Sequence, residues 1–263
     1  VLQVDETNAM AEYNLGLLYN KKGLIDDAIA AYEKAIEIQP GHYQSLNNLG
    51  IIYYKMGLPD DAIASYKKAI KVNADYAESY YNLGTVYLEQ GQFDNAVSEL
   101  EKAADLAPGF LEAYYNLGVA YRKKGMLDEA IVEFEQTLTH DPMFTEAYHY
   151  LTAIYRQQGA NDEALCLLED GARFQGHEAS FQYLFGKLLI DLGRREQALE
   201  RLKAAVRLNP RAAEPYLLMG KMFLEDGDLD GSELSFLQAL QLPGSQMPQW
   251  PHGSPQLLWG LLH

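Results

Sequence analysis

The sequence predicts an all-α array of seven antiparallel helix pairs, and three observations carry that reading. A unit of thirty-four residues recurs seven times without insertion between Ala9 and Gln246, each unit has two segments with apolar residues three and four apart, and a glycine closes the first segment every time. No unit of this length buries its apolar side alone, so neighbours must stack to share a core. The repeats fall at 9–42, 43–76, 77–110, 111–144, 145–178, 179–212 and 213–246, the fifth degenerate, with 1–8 expected as the remnant of a preceding repeat and 247–263 as a Pro/Trp-rich tail.

In the first unit, Glu12 to Tyr19 has helical spacing, and Lys21-Lys22-Gly23 ends it with cations at the negative end of the helix dipole and a residue suited to positive φ. The glycine recurs at the fifteenth place as Gly57, Gly91, Gly125, Gly159, Gly193 and Gly227. Asp26 opens a second helix whose buried stripe is Ala28, Ile29, Tyr32, Ala35 and Ile36, until Gln39-Pro40 stops it. An acidic residue recurs at that eighteenth place as Asp60, Asp94, Asp128, Asp162, Glu196 and Asp230, which reads as helix-capping chemistry rather than as catalytic acid pairs. Small residues hold the eighth place (Gly16, Gly50, Gly84, Gly118, Gly186, Gly220) and the twentieth (Ala28 through Ala198), so the two helices of a unit approach closely. Tyrosines hold the eleventh place in the first five units and large rings much of the twenty-fourth.

These residues resemble the tetratricopeptide repeat family over about nine tenths of the chain. The fourth place departs from the family's aromatic at Glu12 and Gln182, and Thr152, Gly171 and Gly176 replace the expected Gly, Ala and Pro of unit five. The resemblance implies a right-handed superhelix whose first helices line a concave groove with places two, five, six, nine, twelve and thirteen. Place six then reads Asn14, Asn48, Asn82 and Asn116, a row of amides each offering a donor and an acceptor to a peptide backbone. Similar rows occur in the tetratricopeptide segment of O-linked N-acetylglucosamine transferases. Flat amphipathic rings at Tyr13, Tyr81, Tyr115 and Tyr54, and cations at Lys21, Lys55, Arg122, Lys123 and Arg156, complete the expected peptide site.

Chaperone-binding relatives carry a carboxylate clamp, but its places here hold Tyr13, Leu17, Glu78 and Asn82, which disfavours that ligand. After unit five the face turns to Leu184, Leu217 and Leu218 with Lys187 and Lys221, and Gly171 is expected to allow a change of pitch.

Thirty-seven acidic against twenty-one basic residues give a formal charge of -16, which opposes nucleic-acid binding. Pentatricopeptide RNA readers have a period one residue longer and basic grooves. Six scattered histidines and the single Cys166 show no ligand spacing, so neither metal nor cofactor is expected, and no nucleophile motif points to an enzyme. No apolar run is long enough to span a bilayer, which predicts a soluble chain with the cytoplasm as its compartment. The reading is therefore a scaffold for an extended segment of a partner protein. Two alternatives are the substrate-selecting part of a larger enzyme and a scaffold that self-associates through its tail. Four prolines follow Leu242, three of them in that tail together with Trp250 and Trp259, so it cannot continue the array.

Overall fold

The computed structural model describes residues 2–242, so the tail expected at 247–263 lies outside them. Among the described residues there are fourteen α-helices and no strand. They are α1 (Leu2–Lys21), α2 (Ile25–Ile38), α3 (Tyr43–Lys55), α4 (Pro59–Val72), α5 (Ala77–Glu89), α6 (Phe93–Leu106), α7 (Leu111–Lys124), α8 (Leu127–His140), α9 (Thr145–Gln158), α10 (Asn161–Gln175), α11 (Ala179–Asp191), α12 (Arg195–Leu208), α13 (Ala213–Glu225) and α14 (Leu229–Leu240). The helices form two compact bodies, one ending at Gly159 and the other beginning at Ala160, so the division falls inside unit five.

The turn within each unit is built as its sequence dictates. Glycines 23, 57, 91, 125, 159, 193 and 227 all have φ between +71 and +81°, the left-handed region an L side chain resists. A backbone bond closes over the glycine, as in Leu24 N–H to Tyr19 O and Leu58 N–H to Tyr53 O at 2.9 Å, which satisfies a carbonyl the helix end would orphan. The acidic residues of the second helices require a correction. Asp26, Asp60 and their counterparts sit in the first helical turn, two residues past the cap, and the caps Leu24, Leu58, Gln92, Met126, Ala160 and Arg194 make no side-chain bond. They act on the helix dipole through charge alone; in unit seven Asp228, two residues earlier, is a true cap and accepts from Gly231 N–H at 2.9 Å.

Close packing inside a unit rests on the eighth and twenty-fourth places. A Cβ on Gly16 would stand 2.5 Å from the Tyr32 ring, and one on Gly50 2.5 Å from that of Tyr66. Both rings are buried, so they have little room to retreat. Ser232 takes the alanine place of unit seven and buries its hydroxyl by donating to Gly220 O at 2.9 Å.

Joints between units use the fourth place. Tyr114 and Tyr148 donate to the carbonyls of Pro108 and Pro142, each at 3.2 Å. Gln182, which departs from the aromatic pattern, donates to Gly176 O at 3.1 Å and so makes the same bond to the same place of the preceding unit. Glu12, another departure, pairs with Lys34 instead.

Residues 2–8, expected as a separate remnant, continue α1 without a break. Neither Gly nor Pro falls between Leu2 and Ala9 to stop the helix. Gly171 is buried inside α10 and does not break it.

Within the first body the odd-numbered helices touch one another, α3 on α5 and α5 on α7, in addition to their pair partners. Even-numbered helices make no comparably extensive mutual contact among the described residues. The odd-numbered layer is therefore the tighter side of that body, and it carries the candidate site.

Candidate functional site

Asn14 is exposed on α1, whereas Asn48, Asn82 and Asn116 are half-buried on α3, α5 and α7. Their amide donors turn toward other helices and not only outward. Asn82 Nδ2 donates to Asn47 Oδ1 at 3.0 Å, and Asn116 Nδ2 to Thr85 Oγ1 at 3.2 Å and Tyr81 Oη at 3.4 Å. Asn48 Nδ2 reaches Tyr32 Oη at 3.5 Å. Joint formation thus engages one amide hydrogen each of Asn48 and Asn82 and as many as two of Asn116, and the Oδ1 acceptors make no hydrogen bond among the described residues. What the row presents is a line of carbonyl oxygens suited to N–H groups.

The expected aromatic residues are also partly absorbed by packing. Tyr13 lies 5.0 Å from the His42 ring and 6.0 Å from that of Tyr32. Tyr81 packs on Phe110 at 4.7 Å, and Tyr115 on Phe144 at 4.9 Å and Tyr150 at 5.9 Å. Each is half-buried, with one edge left to the surface. Tyr54 donates its hydroxyl to Glu89 of the next unit, and its pKa is pushed up to about 12 by burial first and by that carboxylate second.

Among the cations, Arg122 lies over the Tyr150 ring, 5.1 Å from its centroid. Lys55, Lys123 and Arg156 are exposed at the turn end of α3, α7 and α9, as is Lys21 on α1. Glu78, Glu112 and Glu146 are exposed in the first turns of α5, α7 and α9. Glu and cation on one helix stand about ten residues apart, roughly 15 Å along its axis, too far to pair with each other.

Several contributors were not singled out in the sequence. Asn47 is buried and gathers donors from Asn82 and from Ser79 Oγ at 3.1 Å; the doublet Asn47-Asn48 was its only signal. His42 is buried, caps α3 by accepting from Ser45 N–H at 3.3 Å, and leaves Nε2 without a hydrogen-bond partner. Burial pushes its pKa down.

On the second body the matching face is different. Leu184, Leu217 and Leu218 are half-buried and Lys187 and Lys221 exposed. Among the described residues no set of His, Cys, Asp and Glu is grouped to hold a metal ion, and no helix is long and apolar enough to cross a membrane.

The sequence profile of the family described as the cilia and flagella-associated protein 70 C-terminal domain matches residues 42–249, and a tetratricopeptide repeat profile matches residues 7–75. Among solved structures, MamA is 33% identical, covering 63% of this chain and 96% of its own with a TM-score of 0.58. PilF of Pseudomonas aeruginosa is 21% identical, covering 84% and 99% with a TM-score of 0.65. YrrB, described as "a TPR protein with an unusual peptide-binding site", is 24% identical, covering 70% and 95% with a TM-score of 0.56. The latter two show a shared fold. No curated protein sequence matches the chain.

Proposed function

The chain belongs to the tetratricopeptide repeat proteins, in the family of the cilia and flagella-associated protein 70 C-terminal domain, and we propose that it is a non-enzymatic scaffold holding an extended segment of a partner protein across α3, α5, α7 and α9. The observation that carries this reading is the row of unpaired amide oxygens at Asn82 and Asn116, held in place because their own donors are tied to the neighbouring unit. Packed helices stand about 8 to 10 Å apart, and an extended strand rises about 3.3 Å per residue, so each helix meets roughly every third residue. Because the oxygens are acceptors, the ligand contributes backbone N–H groups at those points. The amides supply only a few kcal/mol, at about 0.5 to 1.5 kcal/mol net per hydrogen bond, so neighbouring side chains must add affinity.

A second reading assigns the array to a larger enzyme of the O-linked N-acetylglucosamine transferase kind, as its substrate-selecting segment. The asparagine row at place six favours it. Both readings use the same face, and the sequence of the full-length protein separates them.

The test selects binding peptides from a random display library against residues 1–263, then measures their affinity for the wild type and for a double variant, Asn82→Ala with Asn116→Ala. A loss of about 1 to 3 kcal/mol, or roughly five- to 150-fold in Kd, is expected. Denaturation curves run alongside, since Asn82 and Asn116 also donate to the preceding unit. Unchanged affinity in a folded double variant removes the amide row from the site.

A further inference from the structure

The last helix does not present the face by which earlier units receive their neighbours. At place twenty-one the first six units hold Ile29, Ile63, Val97, Ile131, Leu165 and Leu199, none of them exposed, and Ile29 packs on a cluster that includes Leu49 and Ile52 of the following unit. At place twenty-five they hold Glu33, Lys67, Glu101, Glu135, Glu169 and Lys203, all exposed, and Glu101 and Glu135 accept the hydroxyls of Tyr121 and Tyr155 in the following units. On α14 the two characters are exchanged. Place twenty-one is exposed Glu233, and place twenty-five is Leu237, 46% exposed. Leu234 and Leu240, three residues to either side of Leu237, are 61% and 50% exposed and extend it into an apolar row.

Another unit of the same pattern does not fit this row. It would bury Glu233 and set any place-eleven tyrosine hydroxyl against a leucine, leaving polar groups without partners. The row suits an uncharged apolar segment, with Glu233 left in water at its start.

The sequence beyond α14 supplies such a segment. Residues 234–263 contain no Asp, Glu, Lys or Arg. Pro243, Pro248, Pro251 and Pro255 come first, and then Leu257, Leu258, Trp259, Leu261 and Leu262 form an apolar run around Gly260. The row from Leu234 to Leu240 is about 9 Å long at 1.5 Å per residue. The stretch 243–256 that joins it to the run spans up to about 46 Å, enough to double back along the helix. We propose that Leu234, Leu237 and Leu240 receive residues 257–262 of the same chain, with Trp259 as the anchor. Tethering makes this an intramolecular event at an effective concentration in the millimolar range, so a modest apolar contact suffices. A tryptophan supplies the largest apolar area of any single side chain in the run.

Trp250 and Trp259 are the chain's two tryptophans, so in Trp250→Phe the indole emission reports Trp259 alone. Acrylamide quenching of residues 1–263 with that change is compared with quenching of a free peptide of residues 247–263 carrying the same change. Quenching at least roughly threefold weaker in the protein is expected, because a docked indole loses most of its exposed surface. Leu234→Ala with Leu237→Glu, which gives place twenty-five the charge it has in the other units, is expected to return quenching to the peptide's level. Leu258→Asp with Leu261→Asp is expected to do the same while leaving every residue of the array in place. Circular dichroism verifies that both double variants are folded. Equal quenching in protein and peptide overturns the proposal, as does protection that survives either double variant. Protection that appears only as concentration is raised, with light scattering showing a dimer, also overturns it and makes the occupant a second copy.

Discussion

The two bodies obey one set of packing rules and present different faces. Gly50 and Gly186 occupy the same place and each admits its partner helix, with Tyr66 against one and Leu202 against the other. Yet place six is an amide on α1, α3, α5 and α7, Tyr150 on α9 and leucine on α11 and α13, and the joints differ in kind. In the first, side chains such as Asn82 and Asn116 reach across to the preceding unit. In the second, Arg195 forks onto Glu225 and Asp226, each at 2.9 Å, and onto Met222 O at 2.8 Å. Places eight, fifteen and twenty answer to the fold, while places two, six and twelve change along the array. Such separation lets an array keep its architecture while its surface chemistry changes along its length.

The largest effect expected is from Gly50→Ala. The new methyl would sit 2.5 Å from a buried ring, and overpacking of that kind costs about 2 to 3 kcal/mol, read as a lower denaturant midpoint. In the second body Gly186→Ala meets Leu202 carbons at 3.0 Å, and a leucine swings more easily than a packed ring, so about 1 kcal/mol is expected. Equal losses would mean that a packed ring and a leucine yield equally at this place. Arg195→Ala comes next. It removes one joint's three acceptor contacts and is expected to lower the midpoint by less than Gly50→Ala, while leaving peptide binding to the first body unchanged. A loss of that binding would show the bodies to be coupled.

Most of the scaffold was legible because each structural place is enforced locally and repeated. A left-handed turn demands glycine, and a close helix crossing demands a small residue, whatever surrounds them. Gln182 shows where such reading stops. As a departure from an aromatic place it read as degeneration, but its amide makes the tyrosine's bond to the same backbone carbonyl. The site was less legible for a related reason. Spacing puts Asn82 and Asn116 on the right face, but which end of an amide is free depends on a residue thirty-odd places earlier, Asn47 or Thr85, whose side chain closes the joint. Likewise Tyr81 and Tyr115 are ordinary groove candidates by position and half-buried packing elements in space.

A comparison inside the first body gives the smallest effect and the one with a definite pH signature. At one joint Lys67 faces Glu99 and draws down a pKa that burial raises. At the next joint the same place holds Glu101, which instead adds to the burial of Glu133, and the Glu133 pKa is pushed up to about 7. Tyr121 donates to Glu101, so that carboxylate is fixed beside its neighbour. A raised folded-state pKa means that the folded chain binds the proton more tightly than the unfolded one. The stabilising contribution is present in full below about 4.5 and is lost as pH rises toward about 7. Wild-type stability is therefore expected to fall across that window relative to Glu133→Gln, by well under the roughly 1.4 kcal/mol per pH unit that one fully shifted proton allows, because the group is partly solvated. Glu101→Lys should flatten the same slope by restoring the charge order of the preceding joint. Denaturation midpoints at half-unit pH steps decide it: parallel curves for wild type and Glu133→Gln would show that water screens this pair, and that the two joints differ in sequence but not in energy.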